Sequence, residues 1–268
     1  MKNNKNNDLK LKNIVNNMKF QNPVFLFTFF IFSLFLFNFH PVSADISSGL
    51  VGYWKLDETS GTTASDSAGS NNGTVNGSTF TTGKINNSLS FNGTSDYVSI
   101  PRMNYDEITI SAWFYKNAND TTNADAIFGN YYWTSDVQTR EGFDLKFHQS
   151  YPNGLRFFVV TKDASGTKSS PFQEYVFTDS TLTWHHVVGT YNKTTGEQKL
   201  YINDNLVSTK NHPTGNTIVP LTTYADMRIG YSRINNGYFN GKIDEVRLYN
   251  RALSATEIQE IYLAGKRE

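Results

Sequence analysis

Trp184-His185-His186-Val187-Val188-Gly189-Thr190-Tyr191, then Asn192-Lys193-Thr194-Thr195-Gly196-Glu197, then Gln198-Lys199-Leu200-Tyr201-Ile202, is the stretch from which the fold can be read. Two runs rich in Val, Ile, Tyr and Thr flank a polar loop, and Gly196 can supply the positive φ that such a loop needs. This is a β-hairpin. Runs of the same kind recur on both sides of it, at Leu50–Leu56, Ser88–Phe91, Tyr97–Ile100, Ile108–Tyr115, Phe143–Phe147, Leu155–Thr161, Met227–Tyr231 and Ile243–Tyr249. Clusters of Gly, Asn, Asp and Ser separate them. About ten strands in roughly 200 residues, with no helical spacing between them, predict an all-β fold: a two-sheet antiparallel jelly-roll sandwich. The exception lies at the end. Ser254-Ala255-Thr256-Glu257 is a capping box that opens a short C-terminal helix, with Ile258, Ile261 and Tyr262 on one face and Gly265 as its stop.

The charges divide the chain of 268 residues unevenly, although 24 basic side chains balance 24 acidic ones. Lys2, Lys5, Lys10, Lys12 and Lys19 precede the uncharged run Val24 to Phe37, and Val42-Ser43-Ala44 follows it. A basic segment, a short apolar run and small residues at the exit describe a signal peptide over residues 1–44. The rival reading is an uncleaved anchor helix over about residues 23–39, the one way this chain would meet a membrane. Either reading places residues 45–268 outside the cytoplasm, secreted or on the cell surface. That remainder carries a net charge of −4, which does not suit a nucleic-acid partner. The absence of cysteine excludes disulfides and thiolate zinc sites.

Several stretches, in this order, resemble the laminin-G-like jelly-roll domain of the concanavalin A-like lectin/glucanase superfamily. They are Gly49-Leu50-Val51-Gly52-Tyr53-Trp54-Lys55-Leu56-Asp57-Glu58, Leu89-Ser90-Phe91-Asn92-Gly93, Ile110-Ser111-Ala112-Trp113-Phe114, Trp184-His185-His186-Val187-Val188, and Gly241-Lys242-Ile243-Asp244-Glu245-Val246-Arg247-Leu248-Tyr249-Asn250-Arg251-Ala252-Leu253. The resemblance spans about Gly49 to Gly265 and implies an extracellular binding module for glycans or proteins, often with calcium. Pentraxins resemble the same core more distantly. The position of their calcium-binding acids here reads Ser232-Arg233-Ile234-Asn235-Asn236, with no acid.

Candidate site residues follow from strand phase. Glu58 falls in step with Trp54 and Leu56, Asp96 with Val98 and Ile100, and Asp244 with Val246 and Leu248. Carboxylates that continue an apolar face need partners. One reading is a shared structural calcium, completed by Asp66, Asn71 and Asn72 of the following loop. The other is that each acid caps a turn by accepting backbone N–H bonds. For ligand contact the segment Lys116 to Gly142 offers Asp120, Asp125, Tyr131, Tyr132 and Trp133, with rings to stack on sugars and carboxylates to bind hydroxyls. His185 and His186 point to opposite faces of a strand and do not chelate together.

Enzyme chemistry is not predicted. The Glu-x-Asp-x-x-Glu strand of retaining glucanases is missing, and Glu141 and Asp144 fall on opposite faces. A polysaccharide-degrading hydrolase or lyase is the alternative reading, and a purely structural envelope module is a third.

Overall fold

The structure is a computed structural model, and it describes residues 45–117, 125–147, 154–171, 175–176, 182–234 and 236–266. Contacts divide the chain into Met1–Ser43 and Ala44–Glu268, and all described residues belong to the second unit. The signal-peptide expectation and Asp120 lie outside the described residues. No helix among those residues is long and apolar enough to cross a membrane.

Two eight-stranded antiparallel sheets make the sandwich. The first runs β16 (Asn205–Asn211), β15 (Glu197–Ile202), β14 (Trp184–Tyr191), β7 (Ile108–Lys116), β21 (Asn240–Tyr249), β5 (Asn87–Asn92) and β4 (Thr79–Thr82), with β1 (Leu50–Trp54) also paired to β21. The second runs β13 (Tyr175–Val176), β10 (Gly154–Val159), β9 (Phe143–Phe147), β8 (Ala126–Gly129), β18 (Asp226–Ile229), β6 (Tyr97–Pro101), β3 (Gly73–Asn76) and β2 (Thr63–Ala64). Short strands β11 (Thr161–Lys162), β12 (Lys168–Ser169) and β17 (Thr217–Ile218) form a small third sheet, and β19 (Tyr231–Ser232) pairs with β20 (Gly237–Tyr238).

The period-2 pattern builds the core. Ile108, Ile110, Ala112 and Phe114 of β7 face Phe143, Leu145 and Phe147 of β9 and Leu155, Phe157 and Val159 of β10, all within one buried cluster. Gly189 interrupts the inward face of β14, and a Cβ there would lie 2.5 Å from the Phe157 ring. The glycine is the recess into which the opposite sheet inserts a phenylalanine. Gly189→Ala should therefore overpack the core and cost about 1–3 kcal/mol of stability. An unchanged melting temperature would show that the sheets separate freely at this point.

The helix expected at the C-terminus is α1 (Ala255–Lys266). Its capping box forms as read: the Ser254 N–H donates to Glu257 Oε2 at 2.7 Å, and the Glu257 N–H donates to Ser254 Oγ at 3.3 Å. Ile258 and Ile261 pack with Val188, Tyr201 and Tyr249 on the outer face of the first sheet. Tyr262 stacks on Trp113 with ring centroids 5.6 Å apart. Gly265 does not stop the helix, which continues to Lys266. Its smallness serves packing instead, because a Cβ there would lie 2.7 Å from the Trp113 indole.

Strand β21 corrects one sequence inference. Its pairing with β7 shifts between Asp244 and Arg247, and Glu245 takes a left-handed φ of 55°. The bulge adds one residue, so the alternation slips. Ile243, Val246 and Leu248 all reach the core cluster, and Asp244 pairs across to Trp113 on the outer face. Asp244 does not share a face with Val246 and Leu248, as plain alternation predicts. Similarly, β1 ends at Trp54 and Leu56 has φ 62°, so strand phase says nothing about Glu58.

Candidate functional site

The proposed calcium ligands are bound to separate stretches of backbone. Asp66 Oδ1 accepts from the N–H groups of Tyr53 (2.9 Å) and Ala68 (3.0 Å), and its Oδ2 accepts from that of Asn71 (3.0 Å). Burial works to raise the Asp66 pKa, but the bonds from Tyr53, Asn71 and Ala68 outweigh it and hold the carboxyl below its ordinary value. The Asn71 amide donates weakly to Asp66 Oδ2, at 3.3 Å. Asp96 Oδ2 accepts from the Asn92 N–H at 3.1 Å, closing the turn between β5 and β6. Glu58 Oε1 accepts from the Ser65 N–H at 2.7 Å. Asp244 Oδ2 accepts from the N–H groups of Lys84 (2.8 Å) and Ile85 (3.0 Å).

Among the described residues no three His, Asp or Glu side chains are placed to hold one metal ion. The donor set does not fit an ion shared by Glu58, Asp66, Asp96 and Asp244, since most of their oxygens already accept N–H bonds. Asp244 Oδ1 and Glu58 Oε2 are buried with no hydrogen-bond partner.

The expected aromatic contacts separate too. Tyr131 is only 3 % exposed and stacks on Phe158 at 5.3 Å, inside a small cluster with Val160 and Val219. It is packing, not ligand surface. Asp125 is fully buried and pairs with Lys116 at 3.3 Å, with no surface open to a ligand. Trp133 is 49 % exposed, with the Arg140 guanidinium 5.6 Å from its ring centre. Trp133→Ala should shift stability by no more than about 0.5 kcal/mol, as an exposed side chain does, and a larger loss in thermal melting would contradict its placement. Tyr132 lies edge-on to Tyr224 at 5.9 Å.

Tyr132 leads to an array that sequence reasoning missed. With α1 on the outer face of the first sheet, the outer face of the second carries the alternate residues of its strands: Tyr97 and Ser99 from β6, Asp226 and Arg228 from β18, Asp144 and Lys146 from β9. Arg228 lies 4.3 Å from the centre of the Tyr97 ring and 4.9 Å from that of Tyr231. Its Nε donates to Asp226 Oδ2 at 2.9 Å. Arg233 donates to the other oxygen of the same carboxylate and sits 4.1 Å from the centre of the Tyr224 ring. Ser99 Oγ completes the set, donating to Asp226 Oδ2 at 2.9 Å. Tyr231 packs on Tyr238 with ring centroids 4.3 Å apart. Burial opposes ionisation of Asp226, but Arg228, Ser99 and Arg233 together hold its carboxyl below the ordinary value.

Beside the array, on the same face, lies a buried ion pair. Lys146 Nζ is 3.3 Å from Asp144 Oδ2, and the Ser232 hydroxyl donates to the same oxygen at 3.2 Å. Gly129 sits opposite Asp144, and a Cβ at that position would come within 2.3 Å of Asp144 Oδ1. Burial raises the Asp144 pKa and lowers that of Lys146, and their mutual attraction opposes both shifts. The alternation Asp226-Met227-Arg228-Ile229, with Tyr224, Tyr231 and Tyr238 around it, was the available signal. What hid it was that Tyr97 and Ser99 come from β6, more than 120 residues earlier.

Away from this face, a concavity of about 520 Å³ opens where Tyr105, Asp106, Lys162, Lys193, Thr217 and Asn250 meet. Its charged lining is more exposed: the Lys193–Asp106 pair is about half exposed, whereas Arg228 is stacked and bonded in place.

The fold and this face define a jelly-roll sandwich with one outer face covered by a helix and the other polar and aromatic. The chain belongs to the Laminin_G_3 family of the concanavalin A-like lectin/glucanases superfamily, which residues 92–259 match. No curated protein matches the chain. Among solved structures it is similar to domain 4 of AbnA, a GH43 extracellular arabinanase from Geobacillus stearothermophilus in complex with arabinotriose. That likeness has a TM-score of 0.59 and 18% identity, and covers 80% of this chain and 98% of that one. It is also similar to the ligand-binding domain of botulinum neurotoxin serotype D in complex with N-acetylneuraminic acid, with TM-score 0.59 and 18% identity. That match covers 83% of this chain and 52% of the other, so the chain spans about half of the toxin domain. The binding domain of Paraclostridial Mosquitocidal Protein 1 is matched at TM-score 0.60 and 16% identity, over 82% of this chain and 53% of that one. At these identities the likeness is one of fold.

Proposed function

We propose that residues 45–268 form a glycan-binding module that works outside the cell and binds through the outer face of the second sheet. The observation that carries this is the fixed group Tyr97–Arg228–Tyr231 with Asp226. It sets guanidinium donors, a carboxylate acceptor and phenol hydroxyls on one rigid, half-buried face. Sugars need this mixture of ring surface and oriented donors and acceptors. Strand-borne side chains are better fixed than loop ones, so the face is preorganised. The arabinanase domain and the toxin domain were each solved with a sugar bound, which supports the class of ligand without locating its site here. The basic and apolar pattern of residues 1–44 supports export.

A glycan array probed with the purified protein tests the reading. At least one glycan class should bind reversibly with no product formed. Release of reducing ends or of unsaturated products from a polysaccharide would replace the module with an enzyme. Binding to none of the glycans would leave a protein partner or an envelope role. A structural calcium at the buried, unpartnered Asp244 Oδ1 is a separate proposal, read by melting in calcium against chelator.

A further inference from the structure

We infer that the glycan is acidic, with a carboxylate that is gripped by the two Nη nitrogens of Arg228. This rests on the glycan-binding reading and names the chemistry of the ligand.

Arginine presents five N–H donors in a planar fork. In Arg228 the Nε donor is taken by Asp226 Oδ2, and the plane lies against Tyr97 and Tyr231. No group among the described residues accepts from either Nη nitrogen of Arg228. Those nitrogens are not buried, and the side chain as a whole is 21 % exposed. The fork is therefore oriented by its neighbours and open along the edge that matches a carboxylate through two parallel hydrogen bonds. Arg233 does not offer the same edge, because its Nη1 and Nη2 both donate to Asp226, to the carbonyl and the carboxylate.

Charge points the same way. Arg156, Lys146, Arg228 and Arg233 stand on or beside this face against Asp144 and Asp226, an excess of two positive charges. Arg140 and Glu141 at its border cancel. Residues 45–268 as a whole carry a net charge of −4. A positive face on an acidic domain steers anions to that face and away from the rest. A neutral sugar's hydroxyls could accept singly from the Nη edge but would match neither its two parallel donors nor its charge.

The test is titration calorimetry of the purified protein with an oligogalacturonide and with the same oligomer after reduction of its carboxyl groups. The acid form should bind at least tenfold more tightly, and more weakly as salt is raised. Arg228→Gln should remove most of that tenfold preference, costing the acid form several-fold more affinity than the reduced oligomer. Arg228→Lys, which keeps the charge but loses the fork, should restore only part of it, with both variants confirmed as folded by circular dichroism. Equal affinity for the two oligomers, or an equal loss on both in Arg228→Gln, would overturn the inference and leave the glycan-binding reading intact. A preference for a sulfated galactan that carries no carboxylate, with no binding of the carboxylated oligomer, would overturn the choice of carboxylate. Binding of no sugar of any kind would overturn both.

Discussion

Asp244→Ala should lower the stability of the domain by about 3 kcal/mol, because it strips the acceptor from two N–H groups, of Lys84 and Ile85. Asp244→Asn should behave differently. Its side-chain oxygen can still accept both bonds, and it carries no charge to bury. The wild-type residue is fully buried, and burial pushes its pKa up to about 8; the bonds from Ile85 and Lys84 oppose the shift, and Glu245 and Asp57 add to it. The sign follows from proton binding. The folded carboxyl holds its proton more tightly than the unfolded one, so the stability it contributes is full below about pH 4 and is lost as pH rises through about 8. Relative to Asp244→Asn, the wild type should lose on the order of 2–4 kcal/mol between pH 4 and pH 9 in denaturant unfolding. Parallel curves for the two proteins would contradict this. Calcium enters the same experiment. If an ion meets Asp244 Oδ1, added calcium raises the wild-type melting temperature at pH 8 and leaves Asp244→Asn unmoved. Equal melting in calcium and chelator leaves capping as the whole role of the acid.

Tyr97→Ala should weaken glycan binding at least tenfold with little loss of stability. Tyr97 is half-buried on the outer face, outside the core cluster, so its removal leaves the sandwich intact. What it removes is one ring beside the Arg228 guanidinium, leaving only Tyr231 and Asp226 to orient the fork. A freed side chain regains the rotamer entropy that preorganisation had removed, and binding must supply it again. Retained affinity in a folded Tyr97→Ala protein would show that sugar binds elsewhere, the Tyr105–Lys193 concavity being the other built candidate.

The fold was legible wherever the period-2 pattern ran unbroken. β9 and β14 have the limits that alternation predicts, and the capping box marked the helix. β16 was not legible, because Asn205–Asn211 is a mostly exposed edge with Leu206 and Val207 as its apolar residues. β8 was hidden within the segment from Lys116 to Gly142, where its four residues are buried throughout and do not alternate. The acids were recognised as needing partners, but the phase argument failed for Asp244 at the Glu245 bulge, which no spacing rule reveals. The same reliance on local runs drew attention to Tyr131, whose ring is committed to Phe158. The array around Arg228 was beyond such reading, because it brings β6, β18 and the residues around Tyr231 and Tyr238 together only through the sheet order.

The claim that the outer face of the second sheet is the glycan surface is tested most directly by hydrogen exchange with and without a glycan that binds. The account predicts slowed exchange confined to β6, β18 and residues 224–238, the segments that carry Tyr97, Arg228 and Tyr231. Protection centred instead on residues 104–106, 192–193 and 217–220, with β6 and β18 unchanged, would contradict it.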